Sequence, residues 1–471
     1  MGSLDPFSGA VVKLAESMIR GTDLNIMKGD VPTVNMSRIL GQEGVGVVEE
    51  VDMTKPTAFV AVSKSRRSRP GGTGWAWRAS ALLILLAGAS ALGPSGSNAS
   101  DRVKLPEPNA KQRLDYIQRA RVWEPTDVSA KDLYRGPAGR LSFDVDDEVR
   151  CEFVPKPMSG WTPKFSCRLE DGTIVKVKYD DGGRYKEVFG EVLGTRLFWA
   201  LGFYADRMFP VHMTCHGCPE HPFEFVDQRK KLKLNDKGEI ASFPPDARLG
   251  TYRFDLATVE ERVDSEVIET KDKQGWSWKL LDRVDEKLGG ASKAEIDAFR
   301  LLNAFVQNAD NKAIQNKLVC PRAALEVDDA GGVTCRRPVM FVADLGSVFG
   351  NGGFTTGNSG RVDYEGWKVR RVWRDRKSCK ARLASIGGIF RSSTLRDPVI
   401  SEEGRALLSE QLKKLSDAQI ADLFRAARIE RLHQKIKDGD HGEREVTIDD
   451  WVDLFKQKRS EITEHPGCKP R

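Results

Sequence analysis

The chain has 471 residues, with 74 Lys and Arg against 68 Asp and Glu, a net charge of +6 and 30% charged residues. That length leaves room for two or three domains and a large core. The charge balance is too ordinary to point to a nucleic-acid or membrane-surface partner. The eight cysteines fit neither a dense disulfide scaffold nor a tidy zinc module.

Residues 11–51 read VVKLAESMIRGTDLNIMKGDVPTVNMSRILGQEGVGVVEEV. Gly44-Val45-Gly46-Val47-Val48 predicts a β-strand whose glycines permit close backbone approach. The order Gly-Thr-Asp, then Glu-Gly-Val-Gly-Val-Val, resembles the N-terminal barrel of zinc-dependent alcohol dehydrogenases. That resemblance implies a zinc-binding Cys before Gly-Thr-Asp and a zinc-binding His before the Glu. Here those positions hold Arg20 and Gln42, neither a usual zinc ligand, and no G-x-G-x-x-G fingerprint follows. The stretch 1–60 therefore reads as a non-functional dehydrogenase-like fragment.

Residues 61–99 change character. Lys64, Arg66, Arg67, Arg69 and Arg78 precede the run ASALLILLAGASALG, within which Ala89-Ser90-Ala91 is an A-x-A pattern. Basic, apolar and small-residue regions in that order are those of a secretory signal, and the apolar run is short for a membrane span of about 20 residues. Two readings stay open. One is a signal over 64–91, with a true start near Met53 and a periplasmic or extracellular product. The other is a buried or interfacial helix in a cytoplasmic one. Membrane contact would come only through 79–93, if uncleaved.

Residues 100–135 read as a linker and a helix at 110–121, with the folded unit beginning near Gly136. A small β-rich lobe is expected over 136–215. EVRCEFVPKP and KFSCRLEDGTIVKVKY alternate like paired strands, and Glu170-Asp171-Gly172-Thr173 is a hairpin turn. The loop Pro157–Pro163 has a single glycine and reads as an ordinary hairpin loop. Lys176 and Lys178 are two apart and share one face of a strand. The helix after them, Tyr185 to Leu201, carries Glu191 on an apolar stripe, where a carboxylate is costly to bury unless paired. Lys176 with Glu191 is the preferred pair, with Lys178 and Glu187 as substitutes. His212, Cys215, Cys218 and His221 form the one dense His/Cys cluster, open to zinc, a disulfide or neither. Cys320 and Cys335 flank a hairpin and are a second disulfide candidate.

The rest, 216–471, reads as a helical catalytic lobe. Its insert 229–273 looks like a charged surface excursion. Ser292-x-x-Glu295, Ser416-x-x-Gln419 and Thr447-x-x-Asp450 are helix-starting caps. An apolar helix through Ile296, Phe299, Leu302 and Phe305 runs into a polar knot of Asn308, Asp310, Asn311, Lys312, Gln315 and Asn316. A short strand, Val339 to Val342, then ends in Asp344-Leu345-Gly346. Phosphoryl transfer needs an acid to orient the attacking group, and an amide with a second carboxylate to hold magnesium on the phosphates. The glycine-rich 350–360 stretch is where a mobile substrate segment would sit.

These two loops resemble the catalytic and metal loops of HipA-type kinases, phosphoinositide kinases and related bacterial kinase-like proteins. The run from Glu191 to Gly202 also resembles HipA-type kinases. The resemblance implies an α+β bilobal kinase-like fold over about 136–471, and transfer of a phosphoryl group from ATP with magnesium to an unidentified protein or small molecule. Asp310 with Lys312 would orient the acceptor. Asp344 with Gln315 or Asn316 would hold magnesium, and Lys176 or Lys178, held by Glu191, would grip the nucleotide. In that family the amide stands five residues after the acid; here position 315 is Gln and the Asn is at 316. The alternative is a catalytically inactive kinase-like binding or scaffold protein outside the cytoplasm.

Overall fold

The structure is a computed structural model. It describes residues 103–471, apart from 183–185, 229, 231–232, 237, 244–246, 271–274, 351–361, 384–394, 440–441 and 469–471, together with one strand pair nearer the N-terminus. The chain forms two compact units, Met1–Ala99 and Ser100–Arg471. In the first, β1 (Gly9–Glu16) pairs antiparallel with β2 (Val45–Asp52), with Lys13 opposite Val47. The strand expected at Gly44–Val48 is thus largely present. Arg20, Gln42 and the 64–91 segment lie outside the described residues. Among those described, no helix is long and apolar enough to cross a membrane.

The second unit starts earlier than the expected Gly136. Helix α1 (Ala110–Gln118) opens on an Asn109 capping box and buries Tyr116 and Ile117. Five strands then close a barrel: β3 (Asp147–Val154), β4 (Lys164–Leu169), β5 (Ile174–Tyr179), β6 (Arg207–Pro219) and β7 (Leu249–Glu261). Between β5 and β6 runs helix α2 (Glu187–Ala200), and the short α3 (Pro222–Val226) follows β6. The barrel order is β3-β4-β5-β7-β6, antiparallel except where β6 closes on β3 in parallel. Phe165, Val177, Val211 and Val259 fill its interior with no exposure.

Three expectations are corrected here. The β lobe does not end at 215, because β6 runs to Pro219 and β7 to Glu261. The 229–273 insert is no mere surface excursion, because it holds β7, which hydrogen-bonds β5 on one side and β6 on the other. All eight cysteines pair, as Cys151–Cys167, Cys215–Cys218, Cys320–Cys335 and Cys379–Cys468. The chain is therefore disulfide-stapled after all; the pair at 320 and 335 is the candidate the sequence offered, and of the three readings of the 215–218 cluster the structure takes the disulfide.

The helical lobe follows. A three-stranded sheet has the order β12 (Val339–Val342), β9 (Asn316–Pro321), β8 (Ser265–Val267); β10 (Leu325–Val327) and β11 (Val333–Cys335) form a hairpin beside it. Helix α4 (Lys293–Phe305) packs on α6 (Glu402–Lys413), and α6 and α7 (Asp417–Ala426) pack on α8 (Ile448–Thr463). The predicted caps at Ser292, Ser416 and Thr447 are all present as reciprocal capping boxes. Short elements complete the lobe: α5 (Tyr364–Val369), the pair β13 (Trp373–Asp375) and β14 (Lys380–Ala381), and the pair β15 (Lys435–Lys437) and β16 (Glu443–Glu445). Arg428, just past α7, clamps the lobes together. Its guanidinium donates to the carbonyls of Val211, Asp255 and Ala257 on the barrel and to the Asp146 carboxylate.

Candidate active site

The site is built where α2 crosses the open face of β5 and meets the turn after β12. Helix α2 is buried almost all round, Glu191 and Arg196 included. It can come so close because three glycines lack side chains. A Cβ on Gly190 would lie 2.1 Å from the Gly346 carbonyl oxygen, one on Gly194 would lie 2.6 Å from Leu345 Cβ, and one on Gly346 would lie 2.8 Å from Glu187 Cβ. The i, i+4 glycines of α2 thus seat it against Asp344-Leu345-Gly346 and draw Glu187, Glu191 and Asp344 together. Their carboxylate oxygens lie within 4.8 Å of one another.

Lys178 enters this cluster, 3% exposed, in ion-pair contact with Glu191 and 3.7 and 3.8 Å from Glu187 and Asp344. The preferred Lys176–Glu191 pair is therefore replaced by its substitute, Lys178. Lys176 shares the strand face but pairs with Glu260 on β7. Two residues of strand, roughly 7 Å, decide which lysine α2 can reach.

The charges do not settle evenly. Burial opposes the charge on Lys178, yet Asp344, Glu191 and Glu187 together raise its pKa well above the ordinary lysine value. Burial also works against Asp344, but Lys178, Lys164 and Lys176 outweigh it and hold its carboxyl well below the usual range. Glu191 goes the other way: burial, only partly offset by Lys178, pushes it up to about 8. Burial and then the Asp344 charge push Glu187 up as well. Three carboxylates compete for the Lys178 ammonium, and the negative charge settles preferentially on Asp344. On β4, burial and repulsion from Lys178 bring Lys164 down to about 8. The β3–β4 loop closes over the site through Thr162, which hydrogen-bonds Glu187.

The Asp310 loop runs alongside. Its backbone is laced to the Asp344 segment at both ends, by Ala309 N–H to the Ser347 carbonyl (3.1 Å) and Ala343 N–H to the Gln315 carbonyl (2.9 Å). Lys312 Nζ lies 2.8 Å from Asp310 Oδ1. Gln315 Nε2 donates to Asp310 Oδ2 at 3.1 Å, which makes that amide an orienter of Asp310. Asn316, fully buried, begins β9 opposite Val342 and donates to the Trp276 carbonyl at 2.8 Å. Its Oδ1 is buried without a hydrogen-bond partner. The oxygens of Asp344, Glu187 and Glu191 are hard donors of the type magnesium takes. Glu187, in sequence only a substitute partner for a lysine, thus stands within the carboxylate cluster. The G-x-x-x-G spacing of Gly190 and Gly194 was the signal that α2 lies against another backbone.

The cysteine cluster has no part in this site. Cys215–Cys218 sits on β6, with Cys215 Sγ 3.7 Å from Cys167 Sγ of the neighbouring disulfide.

A strand lysine facing helix and loop carboxylates, at the junction of a five-stranded barrel and a helical lobe, defines an α+β two-lobed chain. No protein-family model matches the chain, and no curated protein matches it. Among solved structures it aligns with the "Crystal structure of A Helicobacter pylori proinflammatory kinase CtkA" at 9% identity and a TM-score of 0.34, over 68% of this chain and 95% of that one.

Proposed function

We propose that the chain transfers a phosphoryl group from a magnesium nucleotide, ATP in the kinases it resembles, to an acceptor of its own. The observation that carries this is Lys178, buried among Glu191, Glu187 and Asp344 at the end of a strand and a loop. In this reading Lys178 neutralises phosphate oxygens, Glu191 fixes its position, and Asp310, oriented by Lys312 and Gln315, accepts the acceptor's hydroxyl proton. Asp344, with Glu187, is the set that would hold magnesium, whose role is to neutralise charge on the phosphates. The four disulfides support export, since such bonds persist in oxidising compartments.

A second reading, a binding protein without turnover, is favoured by one observation: the Gln315 amide is turned to Asp310 and not to the Asp344 carboxylate, where a metal would need it. Calorimetric titration of ATP and other nucleoside triphosphates with magnesium, followed by an assay of phosphate release, separates the two. Binding with slow phosphate release or transfer is expected; no binding of any nucleotide by the intact protein would leave only the second reading.

A further inference from the structure

The wall of the barrel facing this site is read from the strand register. Ser166, Lys176 and Glu260 form one row across β4, β5 and β7, and Lys164, Lys178 and Thr258 form the next. The second row meets the carboxylates of α2. The first opens into a cavity of about 970 Å³ whose lining includes Leu141, Met158, Lys176, Glu260, Arg262 and Arg322. Lys176 and Lys178 project from the same strand face. If the proposed function holds, a nucleotide with its phosphates at Lys178 therefore extends its base into this cavity.

A base is chosen by its hydrogen-bonding edge. Adenine sets a donor beside an acceptor, which the N–H and C=O of an extended backbone match. Along the chain that crosses from the barrel to the helical lobe, some of those groups are already engaged. Val263 N–H donates to Asp206 Oδ1 at 2.9 Å, the Val263 carbonyl accepts from Ser265 Oγ at 3.0 Å, and the Asp264 carbonyl accepts from Arg322 N–H at 3.1 Å. What the cavity offers instead is charge. The Glu260 carboxylate, 7% exposed, sits between the Lys176 ammonium and Arg262, whose Nε lies 3.2 Å away. Guanine is the complement: adjacent N–H donors for a carboxylate, and O6 and N7 acceptors for a cation.

We infer that the cavity reads guanine, with Glu260 accepting from the base and Lys176 or Arg262 donating to it, so that GTP is preferred over ATP. Arg262 is 78% exposed at the rim, and swinging onto the base costs it only a partner that Lys176 also serves.

The test is competitive calorimetric titration of magnesium GTP and magnesium ATP into the full chain, its Glu260→Gln variant and its Arg262→Ala variant. Wild type is expected to bind GTP about tenfold or more tightly than ATP, the scale of a good two-point base contact. Glu260→Gln should bring the two close to parity with ATP affinity unchanged. Because Glu260 is buried and its variant can fail to fold, Arg262→Ala gives the independent arm, with GTP weakened at least about threefold and ATP unaffected. ATP binding as tightly as GTP in wild type overturns the guanine inference while leaving phosphoryl transfer standing. Neither nucleotide binding overturns both.

Discussion

Lys178 and its three carboxylates are a small charge-sharing unit beside the Asp310 loop. Asp344 would touch the phosphates through the metal in the ground state, so its loss should weaken binding itself. Asp310 would act on the acceptor in the transition state, so its loss should lower turnover and spare affinity. We expect Asp344→Ala to weaken magnesium-nucleotide binding at least tenfold and Asp310→Ala to leave it within about twofold. Equal losses in titrations of both variants would mean that these roles are wrongly divided. Glu191 gives a pH signature. In the fold it holds its proton up to about pH 8, whereas the unperturbed group loses it near 4.5. The folded state therefore binds more protons between those values. This contribution to stability is complete at the acid end and is lost as pH rises through about 8. Melting temperatures measured from pH 5 to 8 should fall less steeply in Glu191→Gln than in wild type. Glu187 shares the direction, so some slope should remain; an unchanged slope would show Glu191 already ionised in the fold.

Helix α2 is the element on which the site depends, and glycine sets its distance from the Asp344 turn. A methyl at Gly190 would meet the Gly346 carbonyl at 2.1 Å, and backbone cannot yield as a flexible side chain can. Gly190→Ala should cost about 1–3 kcal/mol in denaturant unfolding and weaken nucleotide binding as well. A variant of unchanged midpoint would show that α2 is held less closely. Among the elements, those legible in the sequence were the ones specified locally. The caps at Ser292, Ser416 and Thr447 lie within four residues of the groups they serve, and the Glu170–Thr173 turn declares itself through Gly172. β7 was missed although Tyr252, Phe254 and Leu256 alternate with Thr251, Arg253 and Asp255. The charged stretch on its N-terminal side hid that pattern, and its two partner strands are distant in sequence. The choice of Lys178 over Lys176 was likewise unreadable, because both share a face and only the seating of α2 separates them.

At the scale of the whole molecule, four covalent links lie over a two-lobed chain. Two are in the barrel, where Cys151–Cys167 joins β3 to β4 and Cys215–Cys218 closes within β6. Cys320–Cys335 ties β9 to β11, and Cys379–Cys468 fastens the C-terminal segment to the loop region before α6. The last spans 89 residues, a loop length at which cross-linking contributes about 4–5 kcal/mol in the chain-entropy account. Reduction under mild denaturant should lower the melting temperature markedly, and Cys379→Ser with Cys468→Ser should account for much of the loss. A melting curve indifferent to reductant would mean that this link constrains little. The same bond makes residues 379–468 a covalent ring that contains α6, α7 and α8 as well as the Arg428 clamp. A protease that cuts once anywhere inside that ring opens it without releasing a piece. The nicked chain should run as one species on a non-reducing gel, and as two only after the disulfide is broken.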